Sequence, residues 1–351
     1  MDNVVVIAGA GFSKVCQIPL TSELLDNFVI SAPTPTTPKP LQDAISLQLA
    51  RFWKESFGWN RGRKTPTFED HFTALDLAAN TGHHFGQFFS PSRLRAIRRL
   101  SLHRVFEILD QRFQTHQQVS RLIAEMVQSD RNAIVSTNWD IVFERHLQEI
   151  NAPYHYGIPI QSLDGPNVPP LGLEVLKLHG SANWCYCDDC RRLFANSAVE
   201  GKGAYKRWLF LEKRDFIALE VRDADTLVDW AASRPPRCPE CRVRLSARVA
   251  TFSFDKALGF FQFQGIWEQA LRRLRSADHW IFIGYSLPEA DFELRHLFKT
   301  AQLSGDPDRQ RRIDVVLKGD APAAKRFRRF FGDGLTKLHK GGFEAWALDA
   351  L

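Results

Sequence analysis

Short apolar runs, each followed by glycine or polar residues, recur along the chain. The first, Val4 to Ala8, is rich in β-branched residues and stops at Gly9-Ala10-Gly11. Short runs that are apolar on both faces predict buried strands of a parallel sheet. The same pattern predicts further strands at Ala133 to Thr137, Val175 to His179, His279 to Gly284 and Ile313 to Lys318.

Between these runs, apolar residues recur every three or four positions, which is the spacing of one helix face. Leu41 to Gln128 shows this spacing and predicts a helical insertion, whereas the four prolines of Ser31 to Pro40 predict an exposed connector. Shorter helices are predicted at Thr21 to Ile30, Asp140 to Ile150, Phe260 to Arg275, Ala290 to Gln302 and Ala321 to Phe331. Strands that alternate with helices predict an α/β fold with a doubly wound, Rossmann-like parallel sheet.

The composition narrows the class of protein. The 351 residues are 44% hydrophobic and 25% charged, which excludes wholesale disorder. The net charge of +6 permits contact with a polyanion without requiring it. Clustered arginines in the insertion predict a solvated basic helix face, with a nucleic-acid or acidic partner as the alternative: Arg93, Arg95, Arg98, Arg99 and Arg104.

The apolar runs are too short for a membrane protein. None approaches the roughly 18 residues that span a bilayer. The apolar start, Val4 to Ala10, follows Asp2 rather than the basic residues of a secretory signal. We therefore expect a cytoplasmic protein with no membrane contact.

Residues suited to chemistry follow four of the predicted strands. Gly9-Ala10-Gly11-Phe12-Ser13 follows the first, and its glycines allow backbone N–H groups to approach an anion. The other candidates are Asn138 and Asp140 after the second strand, His179 at the end of the third, and Gly284 and Ser286 after the fourth. A plain turn, a helix cap or a histidine bound to a carbonyl explains each one separately. Together they predict a site at the carboxyl edge of the sheet.

The cysteines form two short clusters. Cys187 and Cys190 make one Cys-x-x-Cys pair, and Cys238 and Cys241 make a second. Two such pairs supply the four thiolates of a tetrahedral structural zinc site. Cys185 is an alternative to Cys187 as a ligand. We expect one Zn²⁺ in a small zinc-ribbon module.

In their order along the chain, the strand-end motifs resemble those of the sirtuins. The matching segments are Gly9-Ala10-Gly11-Phe12-Ser13 with Ile18-Pro19, Thr137-Asn138-Trp139-Asp140, Leu178-His179-Gly180-Ser181 and Gly284-Tyr285-Ser286-Leu287. The resemblance implies a sirtuin-type sheet, a sirtuin-type zinc ribbon and NAD as substrate. It implies catalytic roles for Asn138 and for His179 as general base, and NAD-binding roles for Gly9, Ala10, Gly11, Ser13, Asp140, Gly284 and Ser286.

Three segments depart from the protein-deacylating sirtuins. Leu20-Thr21-Ser22 stands where deacylases have an Asp-Phe-Arg whose phenylalanine shields the reactive anomeric carbon. Ser253-Phe254 stands in place of a Gly-Glu that pairs with the acyl-lysine peptide. Val316-Leu317-Lys318-Gly319 lacks the asparagine that meets the adenosine ribose. These departures favour water over an acyl-lysine as the nucleophile.

Other features resemble the sirtuin-like NAD hydrolases of bacterial antiviral defence. They are Glu144 after the Ser-Thr-Asn-Trp-Asp motif, Asp291 after Gly-Tyr-Ser-Leu-Pro-Glu, and Phe68-Glu69-Asp70 in the insertion. The resemblance implies an NAD+ glycohydrolase that gives nicotinamide and ADP-ribose, in a homo-oligomer that responds to a partner protein or a nucleic-acid-sensing component. An NAD-dependent protein-lysine deacylase is the alternative, and a catalytically silent NAD-binding scaffold is the third.

The motifs and composition also predict three units. Residues 1–30, 131–182 and 248–351 are expected to form the Rossmann-like NAD-binding domain. Residues 31–130 are expected to form the helical insertion, and residues 183–247 the zinc-ribbon module.

Overall fold

The structure is a computed structural model. It describes residues 3–26, 38–163, 171–196, 211–222, 225–227, 236–249, 261–304, 311–319, 321–334 and 337–351.

Two sheets organise the described residues. The strands are β1 (Val4–Ala8), β2 (Ala133–Ser136), β3 (Tyr154–His155), β4 (Gln161–Ser162), β5 (Leu173–Lys177), β6 (Gly180–Cys187), β7 (Arg192–Ala195), β8 (Ser246–Val249), β9 (His279–Ile283), β10 (Arg312–Val316) and β11 (Lys337–His339). A seven-stranded sheet has the order β11-β10-β9-β1-β2-β5-β3, and all its neighbouring strands are parallel. A four-stranded sheet has the order β4-β7-β6-β8.

Helices connect and flank these strands. They are α1 (Ala10–Ser13), α2 (Thr21–Leu24), α3 (Lys39–Phe57), α4 (Phe68–Thr81), α5 (Pro91–Arg112), α6 (Gln117–Met126), α7 (Val142–Glu149), α8 (Lys213–Ala218), α9 (Phe261–Ser276), α10 (Phe292–Leu303), α11 (Ala321–Phe331) and α12 (Gly342–Ala350). None of the helices in the described ranges is both long and apolar enough to cross a membrane.

The parallel sheet with flanking helices confirms the predicted α/β fold. The chain builds β1, β2 and β5 toward one edge and then returns to the other side of β1 with β9, β10 and β11. The order therefore reverses between β1 and β9, which is the switch point where doubly wound sheets bind ligands. β1 is the central strand, and Val5 to Ala8 are fully buried because helices cover both faces of the sheet.

Helix boundaries differ from the predicted ones where local chemistry decides them. α3 begins at Lys39, inside the predicted connector, because Pro40 is tolerated in the first turn of a helix. α7 begins at Val142 rather than Asp140, since the Asp140 carboxylate accepts the Val142 N–H at 3.2 Å. Residues 27–30 of the helix predicted at Thr21, and residues 31–37 of the connector, lie outside the described residues.

The insertion is helical as predicted, but its arginines do not form a solvated face. Arg98 on α5 pairs with Asp76 of α4, and Arg99 pairs with Asp215 of α8. Arg104 is fully buried and pairs with Glu107. The expectation of a basic face is wrong because these arginines pair with carboxylates of α4, of α5 itself and of α8, which packs on α5 from a distant part of the sequence.

Candidate active site and metal centre

The turns that follow β1 and β9 meet at the switch point. The Gly9 N–H donates to the Ile283 carbonyl at 3.0 Å, and the Gly11 N–H donates to the Gly284 carbonyl at 2.8 Å. Gly284 has a φ of +61°, and a Cβ added there would lie 2.1 Å from the Phe12 nitrogen. Only glycine permits both this backbone conformation and this approach. The glycines thus lock two turns together, and the N–H groups of Gly9 and Gly11 serve that contact.

Asn138 connects the turn after β2 to the turn after β1. It is 8% exposed, and its amide nitrogen donates to the Gly9 carbonyl and to the Ser13 hydroxyl, both at 2.9 Å. The Gly9 carbonyl can only accept, so the amide nitrogen must face β1. Both N–H donors are then in use, and Oδ1 is the atom that Asn138 offers to a ligand. Asn138 does not cap α7, whose N-cap is Ile141; the Asp140 carboxylate accepts the N–H of Val142, the first residue of that helix.

His179 follows β5 and contacts the same turn. Its Nδ1 lies 3.0 Å from the Thr137 carbonyl, and the residue is 3% exposed. A carbonyl accepts only, so Nδ1 carries the proton in the neutral ring and Nε2 is the basic nitrogen. The carbonyl contact that explains His179 as a structural residue therefore also fixes the tautomer that a general base requires.

The turn after β9 completes the rim. The buried Tyr285 hydroxyl donates to the Asp291 carboxylate at 2.9 Å, and Arg326 of α11 donates to the Ser286 carbonyl at 3.0 Å. We use "rim" for residues 9–13, 136–141, 178–182 and 284–287. The rim brings together the candidates for NAD binding and catalysis: Gly9, Ala10, Gly11, Ser13, Asn138, Asp140, His179, Gly284 and Ser286.

Two contacts of the rim are not visible in the sequence pattern. Trp139 packs against Phe68 and Phe72 of α4, with ring centroids 5.7 and 6.4 Å away. The helical insertion therefore touches the segment that carries Asn138. Lys177 is fully buried and donates to the Asp140 carbonyl. A charged residue within an apolar strand pattern was the one sequence signal for it.

Two of the three segments that depart from the deacylase pattern lie within the described residues. Leu20 precedes α2, and its N–H donates to the Glu23 carboxylate at 2.9 Å. Leu317 joins β10 to β11, since its N–H donates to the His339 carbonyl at 2.9 Å. Ser253-Phe254 lies outside the described residues.

The four predicted cysteine ligands form one cluster. The thiol sulfurs of Cys187, Cys190, Cys238 and Cys241 all lie within 4.8 Å of one another. The Cys190 N–H points to the Cys187 sulfur at 3.4 Å. Four thiols at this spacing fit a tetrahedral structural Zn²⁺.

The two halves of the cluster are built alike. The residues that follow the pairs, Arg191 and Arg242, have φ values of +53° and +65°. Cys185 packs in the apolar cluster with Phe194 and Leu245 and is not part of the four-sulfur group. The structure therefore selects Cys187 rather than Cys185.

A cavity of about 40 Å³ lies at the sheet edge rather than at the rim. Residues from β3, β4 and the end of β7 line it, among them Tyr154, Tyr156 and Asn196. Its walls contain none of the candidate NAD-binding residues.

Comparisons with known proteins complete the description. No protein-family model matches the chain, and no curated protein matches it. Among solved structures, a Sir2 homologue–NAD complex is 15% identical and covers 99% of this chain and 86% of its own, with a TM-score of 0.46. A structure titled "Structural Basis for the Mechanism and Regulation of Sir2 Enzymes" is 16% identical, covers 99% and 90%, and has a TM-score of 0.45. A Sir2–p53 peptide–NAD+ structure is 15% identical, with the same coverage and a TM-score of 0.42. All three are structures of Sir2 proteins.

Proposed function

We propose that this protein is a sirtuin-like NAD+ glycohydrolase, which cleaves the nicotinamide–ribose bond of NAD to give nicotinamide and ADP-ribose. The observation that carries the proposal is the meeting of Asn138, His179 and two interlocked glycine turns at the switch point of the sheet. Open α/β sheets bind dinucleotides at this place. The motif resemblance and the Sir2 structures supply the choice of NAD.

The site residues divide into two groups. We assign NAD binding to Gly9, Ala10, Gly11, Ser13, Asp140, Gly284 and Ser286, and catalysis to Asn138 and His179. The structural Zn²⁺ of the four cysteines stabilises the smaller sheet and takes no part in the reaction. We keep the predicted division into an NAD-binding domain, a helical insertion and a zinc-ribbon module as part of this proposal.

Hydrolysis exchanges one bond at the anomeric carbon for another. The bond from C1′ to the pyridinium nitrogen breaks, and its electron pair neutralises nicotinamide as it leaves. A bond from C1′ to the oxygen of water forms, and the water gives up one proton. The transition state resembles an oxocarbenium ion, so the site must orient the sugar and the water rather than supply a covalent nucleophile.

We assign distinct parts in this step to Asn138 and His179. Asn138 Oδ1 accepts a hydrogen bond from the water, because both of its N–H donors face Gly9 and Ser13. His179 Nε2 receives the proton, directly or through a ribose hydroxyl, because Nδ1 carries its own proton toward the Thr137 carbonyl. A positioned general base typically contributes about 10²–10⁴-fold to the rate.

Product analysis tests the proposal. Purified protein is incubated with NAD, with and without an acyl-lysine peptide, and the products are separated. We expect nicotinamide and ADP-ribose, with some cyclic ADP-ribose, and no requirement for the peptide. NAD consumption in stoichiometric step with peptide deacylation would replace the proposal with a deacylase. NAD binding without turnover under every activating condition would favour a silent scaffold.

We further propose that the protein acts in the cytoplasm in antiviral defence, as a homo-oligomer activated by a partner protein or a nucleic-acid-sensing component. The support is the sequence resemblance to defence NAD hydrolases. Light scattering measures the oligomer, and NAD levels during phage infection measure the role. A monomer whose expression leaves cellular NAD unchanged in infected cells would contradict both parts.

A further inference from the structure

Lys177 and Glu144 form a buried ion pair directly beneath the rim. Both side chains are 0% exposed, and Lys177 Nζ lies 3.6 Å from Glu144 Oε1. Lys177 ends β5, two residues before His179, and Glu144 lies in the first turn of α7, shortly after Asp140. The pair therefore sits between the two rim segments that carry Asn138 and His179.

Burying an ion pair costs desolvation free energy, so a gain in stability does not by itself account for this pair. Removing two charges from water is expensive, and apolar residues of similar volume are often at least as stabilising. Glu144 Oε2 also has no hydrogen-bond partner among the described atoms. Burial raises the pKa of Glu144, and the neighbouring Lys177 opposes that rise.

Lys177 completes a row of bonds between the rim segments. From the β5 side, Leu178 N–H donates to the Ser136 carbonyl at 3.0 Å, His179 Nδ1 lies 3.0 Å from the Thr137 carbonyl, and Ala182 N–H donates to the Trp139 carbonyl at 2.8 Å. Lys177 Nζ donates to the next carbonyl, that of Asp140. The backbone on both sides of Asn138 is thus anchored to the His179 segment, which leaves the Asn138 side chain directed at the turn after β1.

Glu144 holds the ammonium group of Lys177 and the segment after His179 together. Its Oε1 accepts from the Ser181 hydroxyl at 3.4 Å and from the Tyr156 hydroxyl at 3.2 Å. Ser181 follows His179 by two residues. One carboxylate therefore contacts the lysine that anchors Asp140 and the serine that follows His179.

We propose that Lys177 and Glu144 are positioning residues, which fix the spacing between the Asn138 and His179 segments in the geometry that the reaction needs. The inference rests on the proposed function, because it concerns the same site. Neither side chain reaches substrate: both act through the backbone of Asp140 and the hydroxyl of Ser181. A displacement of about 1 Å between reacting groups can cost about 10²-fold in rate.

The test neutralises the pair and compares it with a second buried pair on the same helix. The variant is Lys177→Met with Glu144→Gln, which removes both charges and keeps an acceptor for Ser181 and Tyr156. The control is Arg145→Met with Asp110→Asn, because Arg145 is the next residue of α7 and its ion pair with Asp110 joins that helix to α5 at 2.9 Å. Both variants are measured for thermal stability, kcat and KM with NAD, and amide hydrogen exchange.

We expect kcat per folded molecule to fall by about 10–100-fold in the Lys177–Glu144 variant, with KM for NAD changed less than about threefold. The control should keep its kcat within about twofold. Exchange of the amides in 136–141 should rise in the variant and not in the control. A folded variant with the kcat and exchange of the control would overturn the inference.

Two further measurements keep the test decisive. If the double variant does not fold, Ser181→Ala removes one hydroxyl from the same network, and we expect a several-fold loss of kcat at unchanged KM. Unchanged kcat in Ser181→Ala would then refute the inference. Hydrogen exchange needs no substrate, so it decides the positioning role even where the wild-type protein binds NAD without turnover under every activating condition, which is the result that contradicts the proposed function.

Discussion

Two buried histidines, His71 in the helical insertion and His179 at the rim, do different work in the same chain. His71 is fully buried, accepts from Trp53 Nε1 at 2.9 Å through Nδ1, and contacts the Ser101 hydroxyl at 2.8 Å through Nε2. The Ser101 hydroxyl in turn donates a hydrogen bond to the Ile97 carbonyl at 2.8 Å. His179 is nearly as buried, but the bond that fixes it is to a carbonyl of the rim.

The two histidines differ in which atoms the protein uses. Both ring nitrogens of His71 are hydrogen-bonded within the insertion. Burial lowers the pKa of His71 to about 3 and keeps the ring neutral. His179 has its tautomer set by the Thr137 carbonyl of the rim, so Nε2 is the basic nitrogen of the neutral ring. Burial alone therefore does not separate a structural histidine from a candidate base; the direction of its hydrogen bonds does.

Replacing His179 tests this difference most strongly. His179→Ala should lower NAD cleavage by about 10²–10⁴-fold at nearly unchanged thermal stability, because it removes the proposed base from a strand end. Steady-state kinetics together with a thermal melt measure both quantities. Turnover equal to wild type in a stable variant would return His179 to a purely structural role.

Replacing Asn138 should have an effect of similar kind and somewhat smaller size. Asn138→Ala removes the proposed water acceptor and the link from Gly9 to Ser13, so we expect roughly a 10²-fold loss of kcat. Asn138→Asp retains Oδ1 but places an acceptor opposite the Gly9 carbonyl, and we expect it to be no better. An Asn138→Asp variant with full activity would show that the amide donors do not position the residue.

The four-cysteine cluster can be compared with the two histidine sites by removing its metal. The four cysteines should hold about one Zn²⁺ per chain, and its removal by a chelator should destabilise the four-stranded sheet first, because metal binding and folding are coupled. Elemental analysis gives the stoichiometry, and hydrogen exchange in 185–195 and 238–246 locates the loss. Exchange that rises first in the parallel sheet would contradict a structural site confined to this module.

Replacing His71 should cost stability rather than chemistry. His71→Phe leaves the Trp53 N–H and the Ser101 hydroxyl without their shared partner, so we expect about 2–4 kcal/mol of lost unfolding free energy. Denaturant unfolding measures it, and kcat per folded molecule should stay within about threefold. Ser101→Ala is the milder companion, at about 1 kcal/mol. A stable His71→Phe variant with a large loss of kcat would place His71 in the function of the rim.

The pH dependence of the unfolding free energy should show the smallest of these effects. The pKa of His71 is about 3 when folded, against about 6.5 for an unperturbed histidine. The unfolded state therefore binds more protons between these values, and the stability that neutral His71 provides is present above pH 6.5 and lost as pH falls toward 3. We expect about 2 kcal/mol less at pH 5 than at pH 7 from this group. His71→Gln should reduce this slope, and an unchanged slope would show that other groups set it.

Much of the fold could be read from the sequence because its signals are local. Five strands and the helical insertion were predicted from apolar spacing, and α11 was predicted with the limits that the structure has. The short strands β3, β4 and β11 were not predicted, since two or three residues give no periodicity. The strands β6, β7 and β8 of the smaller sheet were not predicted either. The arginines of α5 were misread because the partners of Arg98 and Arg99 lie 22 and 116 residues away in the sequence, at Asp76 and Asp215.

The candidate site could likewise be predicted from the sequence only in part. The sequence by itself determined which residue types end the strands and which cysteines form pairs, because turns, strand ends and Cys-x-x-Cys pairs are set by near neighbours. Only the tertiary structure decided that Asn138 faces Gly9 and Ser13, that Cys187 rather than Cys185 joins the thiol cluster, and that Lys177 lies under Asp140. These are contacts between distant segments, and they exist only once the parallel sheet has brought its strand ends to one edge.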